Sequence, residues 1–465
     1  MDLKKVFEPK STAIVGVSVT NPLNPGTVIF NKNFHEMGAK TIPVNLRGGE
    51  IEGTQIYPSI LDIPEQVDLA VIAIRSDLVN PVVEECGKAG IGGVVVISGG
   101  FAEIGNGGVE RENELIKIAD EYDIALIGPN CMGIYSPPYV DTFFLPSERM
   151  VKPPPGNVAI ISQSGGFIVD QFLSKYAERD IGVSAAVSIG NKAVIDETIL
   201  MEYFLKDRRT NTVAMYLEGF RPGEGRRFLD IAKEFTKNKH IIVFRAGKTV
   251  GGQRAAMSHT SSVAASPRLA SDIFRQYGIL EAENEQEVIS FAKVLSFKTK
   301  PIKNGDIVAI TVSGGHGVVC ADLIPKYDLN LVEFTEEEIN EMRQMINPTA
   351  ARIAALNNPM DLTGSAQDSD MEKVFEYLLQ LKKVEAVIVL TFPYPPTITM
   401  QIGRRLSNIA GRYGKPVVAY VPWLVKYDII IKGFEINNVP VAHTIEEAVQ
   451  MIKGLKMRYP KTNIK

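Results

Sequence analysis

Cysteine is scarce in this chain, which has only three cysteines among 465 residues. Cys86, Cys131 and Cys320 stand far apart and form no CxxC pair. An odd number of isolated cysteines suits neither a disulfide framework nor a structural zinc site. We therefore predict a protein of a reducing compartment, the cytoplasm, with no metal site built from these cysteines.

The sequence also lacks a surplus of basic residues and any long apolar run. Its 50 Lys and Arg residues are outnumbered by 54 Asp and Glu, which gives a formal net charge of −4 at pH 7. This balance offers no counter-charge for a phosphate backbone, so we expect no nucleic-acid partner. No uninterrupted apolar stretch reaches the roughly 20 residues of a membrane span, and the first residues lack a signal-peptide core. We therefore expect no membrane partner.

Short apolar runs rich in β-branched residues alternate with amphipathic stretches along the chain. Residues 12–15, 69–74 and 93–97 are examples of such runs. Because these runs are apolar at every position, they indicate strands buried on both faces of a parallel sheet, with crossover helices between them. The sequence therefore predicts an α/β protein with mostly parallel sheets.

Two stretches rich in Pro, Gly and Lys, residues 152–156 and 298–305, look like domain boundaries. Each is followed by an apolar strand that runs into a Ser-Gly-Gly turn, at Ser164 and at Ser313. This likeness indicates an internal duplication. We predict an N-terminal Rossmann-like domain over residues 1–150, then two flavodoxin-like domains over residues 151–300 and 301–465.

Glycine-rich turns after the predicted strands are the candidate ligand sites, because ligands of open α/β sheets bind at the carboxyl ends of strands. The first turn, Gly16-Val17-Ser18, lets backbone amides approach a phosphate, although a plain turn without ligand fits it equally well. It is not a GxGxxG, so the nicotinamide fingerprint is absent. Arg47, after the second strand, could add a cation.

A second candidate turn, residues 162–166, combines two hydroxyls, two glycines and a helix start. These are small donors of the kind that a phosphate or acyl phosphate requires. Ser164 is also a good N-cap, so a structural role is the alternative. Asn130 lies in the Gly- and Pro-containing stretch 128–133 and could donate to an anion or a carbonyl. The neighbouring Cys131 is better explained as a small buried residue than as a nucleophile. The duplicate turn at Ser313 stays ambiguous.

His259 differs from the other four histidines in its surroundings. Residues 247–262 are rich in small residues and bring Ser and Thr hydroxyls and Lys and Arg cations close to one imidazole. A neutral ring nitrogen can attack a phosphoryl group when an acceptor holds the other nitrogen, and Glu218 at a strand end is the best-placed carboxylate. From chemistry alone, a phosphate carrier and an ordinary capping histidine are equally good interpretations.

Taken together and in order, these motifs resemble those of one known family. The series comprises Gly16-Val17-Ser18, residues 128–133, residues 162–166, Glu218-Gly219, Ser258-His259-Thr260 and residues 358–362. It resembles the alpha subunits of ADP-forming acetate–CoA ligases, which are NDP-forming acyl-CoA synthetases related to succinyl-CoA synthetase. The resemblance covers essentially the whole chain and implies a Rossmann-like CoA-binding domain followed by two flavodoxin-like CoA-ligase domains.

The resemblance also implies an activity and a role for each candidate residue. The reaction would be acyl-CoA + ADP + Pi ⇌ carboxylic acid + CoA + ATP, through an acyl phosphate and a phosphohistidine. His259 would be the phosphohistidine and Glu218 the carboxylate that orients it, with no protein-held metal. CoA would contact Gly16, Val17, Ser18, Arg47, Ser98, Gly99 and Phe101. The acyl carbonyl and phosphate would contact Asn130, Ser162, Gln163, Ser164, Gly165 and Gly166.

This chemistry also needs a nucleotide-binding unit of the ATP-grasp kind, which is not found among these residues. The resemblance therefore implies an ATP-grasp beta subunit that holds ADP or ATP with Mg²⁺, in an alpha2beta2 heterotetramer. Acetyl-CoA or another acyl-CoA, phosphate and ADP would be the small-molecule partners.

The sequence departs from the family pattern in a few places. Ser261 stands where the loop commonly has glycine, and this replacement of glycine by serine stiffens the backbone. The second-strand exit, with Arg47, and residues 73–76 differ from the usual CoA-binding segments, and His316 replaces a usual proline. Two alternatives use the same scaffold without ligase activity: a CoA-binding module associated with an acyltransferase, and a CoA-sensing module.

Overall fold

The computed structural model describes residues 1–221, 223–254 and 267–458. The chain forms two compact units, Met1–Ala282 and Glu283–Lys465. In the described part of the chain, no helix is both long and apolar enough to cross a membrane.

The first unit starts with a sheet of five parallel strands. Its elements, with a small antiparallel hairpin formed by β3 and β4, are α1 Lys4–Phe7, β1 Ser11–Val15, α2 Pro25–Glu36, β2 Lys40–Val44, β3 Gly49–Ile51, β4 Thr54–Ile56, β5 Leu69–Ile72, α3 Val79–Lys88, β6 Gly93–Val96, α4 Asn106–Glu121 and β7 Ala125–Ile127. The spatial order is β2-β1-β5-β6-β7. The strand order reverses beside β1, which makes the carboxyl end of β1 the topological switch point where a crevice opens.

A second sheet of seven strands completes the first unit. Its elements are β8 Gly133–Ser136, β9 Val140–Asp141, β10 Pro155–Ser162, α5 Gly165–Phe167, α6 Lys175–Glu178, β11 Val183–Ser188, α7 Glu197–Lys206, β12 Thr212–Leu217, α8 Glu224–Phe235, β13 His240–Arg245, α9 Pro267–Gln276 and β14 Leu280–Ala282. A π-helix, Ile168–Ser174, joins α5 to α6. The order is β14-β13-β12-β10-β11-β8-β9, with β8 and β9 antiparallel and the other strands parallel. The switch point here is the carboxyl end of β10.

The second unit contains a third, parallel sheet. Its elements are α10 Glu285–Ser296, β15 Asp306–Thr311, α11 Gly314–Lys326, β16 Asn330–Leu331, α12 Glu336–Met345, α13 Pro348–Ile353, β17 Met360–Asp361, α14 Asp368–Gln380, β18 Ala386–Leu390, α15 Ile402–Tyr413, β19 Val417–Tyr420, α16 Asp428–Glu435, β20 Val441–Ala442 and α17 Ile445–Met457. The order is β16-β15-β18-β19-β20, and β17 also pairs with β15.

The prediction of an α/β protein with mostly parallel sheets is confirmed. Strands such as β5 and β18 are buried at every position, as their uniformly apolar sequences require. Counting only the parallel strands of its main path, each sheet has the doubly wound order 2-1-3-4-5. Strands β8 and β9 precede residue 150 but belong to the second sheet, because β8 pairs with β11. The domain boundaries at residues 150 and 300 stay predictions.

A buried cluster of charges connects α2 to β9 within the first unit. The fully buried Asp141 carboxylate lies 3.1 Å from Lys32 Nζ and 2.8 Å from Lys152 Nζ. Burial lowers the pKa of Lys32, although Asp141 opposes this shift. Removing one member of such a cluster leaves an uncompensated buried charge, so the three residues stabilise the fold only as a set.

We expect Asp141→Ala to lower the free energy of unfolding by about 3–5 kcal/mol, because two ammonium groups lose their shared counter-charge. Urea unfolding of the full chain at pH 7 measures this loss. The control is Asp77→Ala, which breaks the exposed Arg75–Asp77 ion pair and should cost about 1 kcal/mol or less. Equal losses in the two variants would contradict this account of the cluster.

Candidate active site

The turn after β1 brings the backbone close to the start of α2. Gly16 has φ +102°, and a Cβ there would lie 2.4 Å from the Ala73 carbonyl oxygen. A Cβ on Gly26 would in turn lie 2.6 Å from the Gly16 carbonyl oxygen. Only glycine fits either position, so the sequence closes this turn tightly over the helix N-terminus.

Polar groups next to this turn are already paired with one another. The Ser18 N–H donates to Thr27 Oγ1 at 2.7 Å, and Val17 is buried. Asn45 Nδ2 donates to the Val17 carbonyl at 2.7 Å, while its Oδ1 accepts from the Arg47 N–H at 2.9 Å. Asn45 therefore joins the predicted Arg47 loop to the first turn, a role that the sequence analysis missed.

The loop after β6 contains three predicted CoA contacts, Ser98, Gly99 and Phe101, which lie in different surroundings. The Phe101 side chain is fully buried in the core of the first sheet. The Gly100 and Phe101 N–H groups donate to the Glu103 carboxylate, and Ser98 Oγ donates to the Ile74 carbonyl. Of Ser98, Gly99 and Phe101, only Gly99 lines the cavity described next.

A cavity of about 430 Å³ lies between the loops of the first and second sheets. It is lined by Pro25, Ile97, Gly99, Asn130, Cys131, Met132, Phe144, Gln163, Ser164, Gly165, Gly166, Gly190 and Asn191. The structure thus brings together six residues that the sequence assigned to two sites: Gly99, Asn130, Gln163, Ser164, Gly165 and Gly166. Gly16, Val17, Ser18, Arg47, Ser98, Phe101, Ser162 and Glu218 are not among its lining residues.

The turn after β10 forms the small-residue wall of this cavity. Ser164 is the N-cap of α5, since its Oγ accepts from the Phe167 N–H, so the structural role anticipated for this serine is present. Ser162 is buried, and its Oγ donates to the Ser164 carbonyl at 2.7 Å. A Cβ on Gly165 would lie 2.3 Å from Met132 Cγ, whereas Gly166 faces open space. Two adjacent glycines at a helix start leave the backbone accessible to a small anion.

Asn130 is oriented by a second amide that the sequence analysis missed, that of Asn191. Asn130 Nδ2 donates to Asn191 Oδ1 at 3.2 Å. Asn191 Nδ2 donates to Glu103 Oε2 at 2.6 Å and to Glu112 Oε2 at 2.8 Å. Asn191 follows Gly190, which has φ +55°, after β11. This is the same strand-then-glycine signal that marked the other turns, so the sequence contained a usable clue.

The Glu103 carboxylate is the anionic end of this network. Burial alone would raise the pKa of Glu103, but hydrogen bonds from Asn191 and from the Gly100 and Phe101 amides hold it below its ordinary value of 4.5. The carboxylate therefore stays ionised beside the cavity at neutral pH. It accepts hydrogen bonds from a loop of the first sheet and from Asn191 of the second, and so it connects the two loops.

Gln163 directs its polar atoms away from the cavity and toward the end of β12. Its Oε1 accepts from the N–H groups of Glu218 and Gly219, and its Nε2 donates to the Gly219 carbonyl at 2.8 Å. The prediction that Gln163 contacts a substrate stays untested. The structure assigns its carboxamide a different role, holding the backbone of the candidate catalytic carboxylate.

Glu218 lies on the rim of a second cavity, of about 530 Å³, at the carboxyl ends of β12 and β13. Apolar side chains dominate its lining, among them Phe220, Phe228, Leu229, Leu269, Ile273 and Phe274. Burial raises the pKa of Tyr216, and the nearby Glu218 carboxylate raises it further. His259 and Ser261 lie outside the described residues. In the described residues, no group of three or more His, Cys, Asp and Glu side chains could hold a metal ion.

Two family models match the chain on the two sides of the first cavity. A CoA binding domain matches residues 10–137, and a succinyl-CoA ligase like flavodoxin domain matches residues 155–295. The first match contains the turns at Gly16 and Gly99, and the second contains Gln163 and Glu218.

Named proteins of archaea are similar to the chain over most of its length. The alpha subunit of ADP-forming acetate–CoA ligase I from Pyrococcus furiosus is 36% identical, over 98% of this chain and 97% of that protein. The alpha subunit of ligase II from the same organism is 38% identical, over 83% of this chain and 81% of that protein. A solved structure, the dinucleotide forming acetyl-coenzyme A synthetase 1 of Ca. Korarchaeum cryptofilum in complex with phosphate and ADP, is 32% identical, with a TM-score of 0.86 and coverage of 98% and 97%.

The Glu103 network makes a pH-dependent prediction about stability. Because the folded-state pKa of Glu103 is depressed, its contribution is present above about pH 4.5 and is lost as the pH falls through the lower folded value. We expect Glu103→Gln to cost about 1 kcal/mol of unfolding free energy at pH 7 and much less at acid pH. Denaturant unfolding at both pH values measures this difference.

The control for this measurement is Glu110→Gln, an exposed position on the same helix, α4. It should leave the stability unchanged at either pH. A Glu103→Gln deficit of the same size at acid and neutral pH would show that the charge of Glu103 is not what the network uses.

Proposed function

The chain belongs to the family of the ADP-forming acetate–CoA ligase alpha subunits, and we propose that its first unit makes an acyl phosphate and passes the phosphoryl group to His259. Its reaction is that of an ADP-forming acid–CoA ligase, acyl-CoA + ADP + Pi ⇌ carboxylic acid + CoA + ATP. The observation that carries the proposal is the cavity between the two sheets, where Asn130 of one loop meets Ser164, Gly165 and Gly166 of another. Alternatives without ligase activity are not favoured, because the similar proteins are named ligase subunits.

We propose that CoA binds along the carboxyl edge of the first sheet, with its phosphates near the turn of Gly16. The fit rests on the closed turn, in which a Cβ at Gly16 or Gly26 would meet backbone at 2.4 or 2.6 Å. Such a glycine pair leaves room for a phosphate at the N-terminus of α2. Val17 and Ser18 would contact it through the backbone and the Ser18 hydroxyl. Exposed Arg47 would add a cation, and Gly99 would lie beside the thiol end because it lines the cavity.

The first chemical step would take place in the cavity. A phosphate oxygen attacks the thioester carbonyl, a C–O bond forms, the C–S bond breaks, and CoA leaves as the thiolate. Negative charge develops on the acyl oxygen when the phosphate adds, before the carbonyl re-forms and CoA leaves, and the phosphate keeps its own charge. Asn130 Nδ2 and the Gly165 and Gly166 amides would stabilise this charge, with Ser162 and Ser164 supporting the turn. Gln163 would act through the backbone at Glu218.

The second step would transfer the phosphoryl group to His259. The imidazole nitrogen attacks phosphorus, the bond to the acyl oxygen breaks, and the carboxylic acid leaves as its carboxylate. The other ring nitrogen needs an acceptor for its proton, which Glu218 would supply. Gln163 holds the backbone of Glu218 and Gly219. The phosphohistidine then gives the phosphoryl group to ADP and forms ATP, with stabilisation mainly electrostatic.

A partner subunit is implied by the name subunit alpha, which the two similar Pyrococcus furiosus proteins share. We propose that this partner is an ATP-grasp beta subunit that binds ADP or ATP together with Mg²⁺, in an alpha2beta2 assembly. Phosphate and ADP are bound in the similar synthetase structure, which supports both as substrates here.

Isotopic labelling tests the proposed phosphohistidine. We expect the full chain, mixed with acetyl-CoA and labelled phosphate, to acquire label that is acid-labile and base-stable. His259→Ala should abolish the label, and Glu218→Gln should slow labelling by about 100-fold or more because the imidazole loses the negative charge of its acceptor. His35→Ala, at an exposed histidine on α2, is the matched control. Label that persists in His259→Ala would overturn the assignment of that residue.

The proposed partner makes a separate prediction. We expect the chain alone to form phosphohistidine but not ATP when ADP and Mg²⁺ are added, because the nucleotide would bind to the beta subunit. A coupled ATP assay with and without the co-purified partner measures this. ATP formation by the chain alone at the rate of the complex would contradict the proposal.

A further inference from the structure

Two side chains from neighbouring loops hold the Glu218–Gly219 backbone where β12 leaves the sheet. Gln163 Oε1 accepts from both N–H groups, and Gln163 Nε2 donates to the Gly219 carbonyl at 2.8 Å. The second side chain is Lys192, whose Nζ donates to the same Gly219 carbonyl at 3.0 Å. Both lone pairs of that carbonyl are therefore engaged, and the position of the peptide is determined from two sides.

Lys192 is buried, at 9% exposed, and its other contacts also lie inside the protein. Its Nζ lies 3.0 and 3.1 Å from the two carboxylate oxygens of Glu197, the 1% exposed first residue of α7. Burial raises the pKa of Glu197, and the Lys192 ammonium opposes that shift. An ammonium group has three donors, and here they meet Glu197 Oε1, Glu197 Oε2 and the Gly219 carbonyl. No donor is left for a ligand.

A buried ion pair is a poor way to stabilise a fold, since well-packed apolar residues of similar volume often do as well or better. The third hydrogen bond of Lys192 is what an apolar pair could not replace. Lys192 also adjoins Asn191, which lines the cavity and accepts from Asn130. Residues 190–192 therefore contact both the proposed acyl-phosphate cavity and the backbone of the proposed holder of His259.

We propose that Lys192 is a positioning residue for Glu218, which it acts on through the Gly219 carbonyl. By holding Gly219 while Asn191 holds Asn130, the loop 190–192 sets the distance between the acyl-phosphate cavity and the Glu218 carboxylate. The inference rests on the proposed function of Glu218 and deepens it. A displacement of about 1 Å at a reacting group can cost about 100-fold in rate, so a small shift of Glu218 is enough to matter.

The test separates loss of the Gly219 contact from loss of folding. Lys192→Met alone leaves Glu197 buried without a counter-charge, so the test variant is the double substitution Lys192→Met with Glu197→Gln. The control is Lys239→Met, which removes a half-buried lysine that donates to the Phe204 and Asp207 carbonyls of the same unit. Thermal melting checks that both variants fold.

The measurement is the rate of His259 phosphorylation from acetyl-CoA and labelled phosphate, in the full chain with its partner subunit. We expect the double variant to lose about 100-fold in the labelling rate at saturation, while KM for phosphate and for acetyl-CoA stays within about twofold. Lys239→Met should label at the wild-type rate. This split between rate and KM is not what a general loss of structure produces.

Three results would overturn the inference. They are labelling of the double variant at the wild-type rate, a fall that lies in KM rather than in the rate at saturation, and an equal fall in Lys239→Met. Absence of label in the wild-type chain is a different outcome, because it overturns the proposed phosphohistidine itself, and the inference with it.

Discussion

The hydrogen bonds between the Gln163 carboxamide and the backbone of Glu218 and Gly219 are the interaction on which the proposed site depends. Gln163 follows β10 at the switch point of the second sheet, and Glu218 follows the neighbouring strand β12. The pairing of the strands ends at this edge of the sheet, so a side chain must hydrogen-bond the backbone donors and acceptors that no strand pairs. The same residue lines the first cavity, which gives the cavity and Glu218 a fixed relation.

The first cavity depends equally on how the first and second sheets meet within one unit. Strands β8 and β9 come directly after the last strand of the first sheet in the chain but belong to the second sheet. The buried Asp141 on β9 pairs with Lys32 on α2. Near the cavity, Asn191 connects Asn130 to the ionised Glu103. Both contacts join parts of the chain that belong to different sheets, so a site built between two sheets can keep the small tolerances that catalysis requires.

The sequence predicted the α/β class and six of the thirteen residues that line the cavity, because strand exits, glycines and helix starts are local patterns. It did not predict which polar groups would be used by the protein itself. Phe101 is buried and the nearby Gly100 and Phe101 amides donate to Glu103, whereas Gln163 bonds the backbone of Glu218 and Gly219, up to 56 positions away. Lys192 carries no motif, so only its burial beside Glu197 reveals it. The contacts of Gln163 and Lys192 with the Gly219 carbonyl join residues far apart in the chain, and such pairing has no local signature.

The central claim is that the cavity lined by Asn130 and the Gly165–Gly166 turn binds the phosphate that becomes the acyl phosphate. An experimental structure of the chain with phosphate and a non-hydrolysable acyl-CoA analogue tests it most directly. The account predicts phosphate oxygens about 3 Å from Asn130 Nδ2 or from the Gly165 and Gly166 amides, with the thioester carbon beside them. Phosphate bound elsewhere, with the cavity filled by another part of the ligand or by water alone, would contradict it.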